Sequence, residues 1–265
     1  MPKVILLKNK TSPIDSYDVQ FTCLNWHVEF FPVLEHERID PKGLRNYIES
    51  EEFQVNDATI VTSQRAVEAI NSQVPYLSDR AKRLLLAKPV YTVGPATAKM
   101  FSESGYSDIR GGIQAGNGDV LADLIISQSN LDTERISRLV FFTGVTRRDI
   151  IPLKISQTPG LSLTEKVVYK TKAISNIKPR LQETISAYSS ATVQKGDSPW
   201  IVFFSPASAE DVVQVLLSTS RSRFRLAAIG PTTEAFLKEN NLPPDAVAER
   251  PDAEHLIRAI LKSQK

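Results

Sequence analysis

The chain has 265 residues, 42% of them hydrophobic and 23% charged, and 32 Lys and Arg against 30 Asp and Glu leave a net charge of +2. At about 100–200 residues per domain this is a two-domain length, and the composition excludes a disordered or fibrous chain. So balanced a charge does not call for a nucleic-acid partner, and any preference for an anionic ligand has to come from local placement.

In chain order, short apolar, β-branched or aromatic runs alternate with segments of helical period. Strands are expected at residues 3–7, 28–35, 58–62, 89–93, 139–143, 165–171, 200–204 and 225–229. Amphipathic stretches fall between them, at 65–70, 96–101, 120–126, 180–188, 209–217, 232–237 and 253–261. Such alternation predicts βαβ units, and strand runs that are apolar almost throughout predict parallel sheets with helices on both faces. The first apolar run, residues 4–7, is too short for a secretory signal. No stretch approaches the roughly 18 apolar residues of a membrane helix. The single cysteine, Cys23, cannot form an internal disulfide, which fits a reducing compartment. A soluble, cytoplasmic protein is expected.

An internal repeat organises these elements. Val93-Gly94-Pro95-Ala96-Thr97 returns 136 residues later as Ile229-Gly230-Pro231-Thr232-Thr233. The apolar starts at Val4 and Leu139, the runs at Phe31 and Val167, and the helical segments around Leu121 and Leu256 repeat at 135 or 136 residues. Ser63 and Ser205, each following a strand run, lie 142 residues apart, and the polar stretch 189–199 is read as the insertion between them. The chain reads as two copies of one α/β unit. Two such units place a cleft between them, lined by strand carboxyl ends, where α/β sheets bind ligands.

Residues just after the strands are therefore the candidates. Ser63, Ser205 with Ser208, Gly94 with Thr97, and Gly230 with Thr232 and Thr233 all mark strand-to-helix turns. They read either as plain helix caps or as amide sites for an anion. Pro206 is expected at a first helical position. Thr143 and Gly144 lead into Arg147 and Arg148, which read equally as carboxylate binders or as a solvated face. Lys8, Arg65 and Arg225 adjoin strand ends and carry the same two readings. Tyr169, closing an apolar run, is either packing or a hydroxyl donor. The run Gly111–Gly118 has neither phosphate-loop nor dinucleotide spacing and reads as a turn and helix approach. His27, His36 and His255 lack metal-ligand spacing, and Glu35-His36-Glu37 reads as a solvated strand exit. No cofactor, metal or covalent nucleophile is indicated.

Five ordered segments resemble uroporphyrinogen-III synthases. They are Val61-Thr62-Ser63-Gln64-Arg65-Ala66-Val67-Glu68-Ala69, Tyr91-Thr92-Val93-Gly94-Pro95-Ala96-Thr97, Val168-Tyr169-Lys170-Thr171, Phe203-Phe204-Ser205-Pro206 and Ala227-Ala228-Ile229-Gly230-Pro231-Thr232-Thr233. The resemblance implies a cofactor-independent, monomeric lyase of two similar α/β domains joined by a two-stranded β connection. Its domains do not follow the repeats: one comprises residues 1–35 plus 172–265, the other 36–171. The implied reaction closes hydroxymethylbilane, a linear tetrapyrrole with eight carboxylates, to uroporphyrinogen III with loss of water and inversion of the last ring. The strand-end turns would cradle carboxylates, and Tyr169 would hydrogen-bond the departing hydroxyl. A transient contact with the preceding pathway enzyme is also implied. A two-lobed binding protein or sensor without chemistry is the alternative class.

Overall fold

The computed structural model describes residues 1–11, 14–129, 136–188, 198–207 and 209–264. Its strands, in chain order, are β1 (Lys3–Leu6), β2 (His27–Phe30), β3 (Leu34–Arg38), β4 (Ala58–Val61), β5 (Val90–Val93), β6 (Ile109–Gly112), β7 (Arg138–Gly144), β8 (Ser162–Ala173), β9 (Trp200–Phe203), β10 (Arg225–Ala228) and β11 (Ala246–Val247). The helices are α1 (Ser16–Cys23), α2 (Pro41–Glu49), α3 (Glu51–Gln54), α4 (Gln64–Asn71), α5 (Asp79–Ala87), α6 (Pro95–Glu103), α7 (Gly118–Ser129), α8 (Ile150–Ser156), α9 (Ile177–Tyr188), α10 (Glu210–Leu217), α11 (Pro231–Glu239) and α12 (Ala253–Lys262).

The chain forms two compact units, Met1–Glu35 with Lys172–Lys265, and His36–Thr171. The first holds a sheet of order β11-β10-β9-β1-β2, parallel in every registered pair. One face carries α9, α10 and α11 through Leu181, Val212 and Leu237, and the other carries α1 and α12 through Phe21, Leu256 and Ile260. The second holds β3-β8-β7-β4-β5-β6. Leu44, Phe53, Val67 and Phe101 cover one face from α2, α3, α4 and α6, and Leu121, Ile125 and Ile155 cover the other from α7 and α8. All four residues of β4 and of β9 are buried, as strands enclosed on both faces must be.

The repeat is visible in the two strand orders. The series β11-β10-β9-β1-β2 corresponds to β6-β5-β4-β7-β8, with β3 added at the edge of the second sheet. Each unit therefore takes its strands from both sequence copies. β3 and β8 are neighbours whose partners run in opposite order, with the Ile39 amide donating to Val168 O and the Ile174 amide to Val33 O.

Several elements differ from the sequence expectation. The single strand expected at 28–35 is two, β2 and β3, in different sheets; Pro32 between them has no amide to continue a ladder. Gly111 and Gly112 close strand β6 rather than forming only a turn. A Cβ on Gly111 would lie 2.5 Å from Thr92 O, so this edge strand runs where only glycine fits. Pro206 is not the first residue of a helix: α10 starts at Glu210, and the Ala209 amide donates back to Pro206 O in a preceding turn.

Candidate functional site

In the second unit, strand carboxyl ends surround a pocket of about 600 Å³. Thr62 and Ser63 follow β4, Val93 ends β5, Thr143 lies near the end of β7, and Tyr169 comes from β8. The start of α7, at Asn117 and Gly118, and the loop from Thr146 to Arg148 complete the wall. Thr143 is buried, whereas Tyr169 is half-buried and presents its phenol to the pocket. The Tyr169 hydroxyl has no hydrogen-bond partner among the described residues.

The two arginines here do different things. Arg147 is committed: its guanidinium lies 2.5 Å from Glu165 and also pairs with Asp149. Arg148 is exposed and makes no ion pair among the described residues. The pocket thus carries one cation with open donors and one that braces its rim.

His36, which sequence reasoning took for a solvated strand exit, belongs to this neighbourhood. Its Nδ1 lies 3.0 Å from the Thr171 hydroxyl, and its ring meets Tyr169 edge-on at a centroid distance of 6.2 Å. Burial first, and then the Arg65 guanidinium, hold its pKa below the ordinary imidazole value, against the opposing effect of Glu68. This placement comes from the pairing of β3 with β8, which local periodicity cannot show.

The strand-end turns divide into capped and uncapped helices. Ser63 is the N-cap of α4, its hydroxyl accepting from the Arg65 amide at 3.2 Å. Arg65 itself pairs with Glu68 at 2.7 Å, one turn along the same helix. Gly94 and Gly230 precede α6 and α11 without any side-chain cap, leaving the first helix amides to other acceptors. Gly94 sits at φ +76°, where a side chain would be strained. Thr97 and Thr233 are buried in their helices, and Thr232 is exposed. Ser205 is exposed after β9, and Ser208 lies outside the described residues.

The cations of the first unit are placed less favourably. Lys8, just past β1, pairs with the buried carboxylate of Asp15 and stands over the rings of Tyr17, Phe30 and Phe204 at 5.1, 5.4 and 5.7 Å. Asp15 in turn caps α1, accepting from the Tyr17 and Asp18 amides. The Asp15 carboxyl is held at about 2. Burial alone would raise it, but the hydrogen bonds from Lys8, Thr11 and Asp18 and the Lys8 charge outweigh burial. Arg225 begins β10 and stacks on Trp200 at 5.7 Å, at the amino end of the parallel strand whose carboxyl end leads to Gly230. Of the sequence candidates, Ser63, Thr143 and Tyr169 line one pocket, while Gly144 lies against the Tyr169 ring instead of lining it. Gly94, Thr97 and Arg65 belong to the same unit without lining the pocket, and Lys8, Ser205, Arg225, Gly230, Thr232 and Thr233 belong to the other.

Residues 15–258 match the family described as uroporphyrinogen-III synthase HemD. The chain belongs to the uroporphyrinogen-III synthase family. A uroporphyrinogen-III synthase of Saccharomyces cerevisiae is 38% identical over 97% of this chain and 95% of its own length. One from Schizosaccharomyces pombe is 32% identical over 98% and 97%. The crystal structure of a uroporphyrinogen-III synthetase from Helicobacter pylori superposes with a TM-score of 0.57 over 99% of both chains at 15% identity, a likeness of fold alone. The family resemblance carried by the Gly-Pro turns and the Tyr169 segment holds, as does the reading of helix-flanked parallel sheets. Among the described residues no helix is long and apolar enough to cross a membrane.

Proposed function

We propose that this member of the uroporphyrinogen-III synthase family cyclises hydroxymethylbilane to uroporphyrinogen III, as a cytoplasmic monomer of tetrapyrrole biosynthesis. Family membership across residues 15–258 supports the reaction. The observation that carries the site assignment is the Tyr169 hydroxyl, without a partner among the described residues, facing a pocket beside Arg148, which is likewise unpaired among them.

The substrate is a polyanion that closes unaided to the uninverted isomer, so the protein has to control geometry as well as ionisation. Tyr169 donates a hydrogen bond to the hydroxymethyl oxygen as the C–O bond breaks, and the hydroxyl departs as water after taking up a proton. The cation left behind is an azafulvene. Attack on it by the substituted carbon of the last ring gives a spirocyclic intermediate, which fragments and recloses with that ring reversed and a ring proton lost. Arg148 and the open amides at the start of α6, both in the unit that holds Tyr169, take side-chain carboxylates. The uncapped Gly94 turn suits this role because, among the described residues, no side-chain cap occupies those amides.

The test is incubation of the purified chain with enzymatically generated hydroxymethylbilane, followed by separation of the product isomers. A synthase converts the substrate mainly to isomer III. Formation of isomer I alone, at the rate seen without protein, would leave a binding protein without this chemistry and overturn the proposal.

A further inference from the structure

Gly144 sits at a strand end and is, from sequence, a candidate for substrate binding. Its surroundings show something else. A Cβ built on Gly144 would lie 2.6 Å from Tyr169 Cζ, 2.9 Å from Tyr169 Cε2 and 2.9 Å from the Tyr169 hydroxyl, and the three nearest atoms all belong to that one ring. The phenol therefore lies against the bare Cα of Gly144.

The strand pairing explains how it gets there. β7 and β8 run in regular parallel register from Arg138↔Ser162 to Thr143↔Val167, and then the register slips so that Gly144 faces Tyr169. The extra residue on β8 is Val168, only 1% exposed and packed in the core with Phe142. Burial of Val168 fixes the slip, and the Val145 amide, donating to Tyr169 O at 3.0 Å, closes the ladder beyond it. Irregularities of this kind re-aim a side chain next to a site.

We infer that Gly144 is a positioning residue that seats the Tyr169 phenol at the pocket, with the bulge at Val168 setting which residue of β8 is presented. This rests on the reading of Tyr169 as the donor to the leaving hydroxyl. An alanine at 144 has no space unless the ring moves, because the obstructing atoms are those of a ring carried on a core-anchored strand.

Two cycles test it on the full chain. In turnover, Gly144→Ala is expected to lower kcat for isomer III about tenfold, close to Tyr169→Phe, with KM within a factor of about two. The double variant Gly144→Ala/Tyr169→Phe is expected to be no slower than Tyr169→Phe alone. Multiplying losses would overturn the inference, since they would mean that Gly144 acts independently of the phenol. In thermal unfolding, Gly144→Ala lowers the Tm of the wild type but leaves that of Tyr169→Ala unchanged, because removing the ring vacates the space. An equal Tm loss in both backgrounds would overturn it as well. The unfolding cycle does not use activity. Should Tyr169→Phe turn over normally, the donor role fails while the seat is still measured.

Discussion

The ends of β1 and β7 are equivalent positions in the repeat, each near the middle of its sheet, yet the two have opposite fates. Past β1, the Lys8 ammonium is closed off by Asp15 and three aromatic rings. Past β7, Thr143 opens onto a pocket in which, among the described residues, Tyr169 keeps a free hydroxyl and Arg148 a free charge. A strand end alone therefore does not make a site. What decides is whether the surrounding elements already satisfy the group placed there. At β1 the cap of α1 doubles as the counter-ion, so structure consumes the charge. At β7 the polar groups of the rim pair among themselves, Arg147 with Glu165, and leave their neighbours unspent.

The sharpest way to break this contrast is at the closed end. Asp15→Ala leaves the Lys8 ammonium among aromatic rings without its partner and removes the cap of α1. It is expected to cost about 3 kcal/mol of stability, measured by urea unfolding. A loss below about 1 kcal/mol would mean that the Lys8 end is not closed by this pair. Acid sharpens the same point. Because the folded Asp15 pKa of about 2 lies below its ordinary 3.8, its contribution is full above about pH 4 and disappears as pH falls towards 2. That amounts to about 2 kcal/mol, absent from the pH profile of Asp15→Asn.

At the open end the effects fall on turnover instead. Tyr169→Phe is expected to slow isomer III formation about tenfold with little change in Tm or substrate binding, as loss of one hydrogen bond in the transition state should. Wild-type turnover would remove the proposed donor role. Smallest of all, Arg148→Ala is expected to raise KM about threefold at low salt and less at high salt, the mark of an exposed charge meeting a carboxylate. Lys8→Met, by contrast, leaves KM unchanged if its ammonium is wholly committed to Asp15.

Much of this scaffold is legible in the amino-acid sequence. The buried parallel strands write themselves as apolar runs such as residues 58–61 and 200–203, and the repeated Gly-Pro turns give the family. Other parts depend on information that local pattern does not hold. β6 carries Gly111 because the Thr92 carbonyl crowds it, and Gly112 at φ +59° beside Ala98 Cβ, so a strand looks like a loop. The starts of α2 and α5 are set by caps, Asp40 and Ser78, more than by an apolar stripe of usual length. The proximity of His36 to Tyr169 arises from pairing between strands more than a hundred residues apart. Likewise, Lys8 and Thr143 occupy matching places in the repeat, and only packing reveals that one is sealed and the other open.

The interleaving of the two copies also orders events on the ribosome. His36–Thr171 is continuous in the chain, so its sheet is complete as soon as Thr171 has emerged. β1 and β2 are made first but wait longest: β1 is completed only by β9, which begins at Trp200. Until then Val4, Ile5 and Leu6, wholly buried in the finished protein, have no second neighbour. A nascent chain halted before Trp200 thus carries one finished unit and one adhesive edge, and a lesion near the carboxyl terminus is felt at the amino terminus.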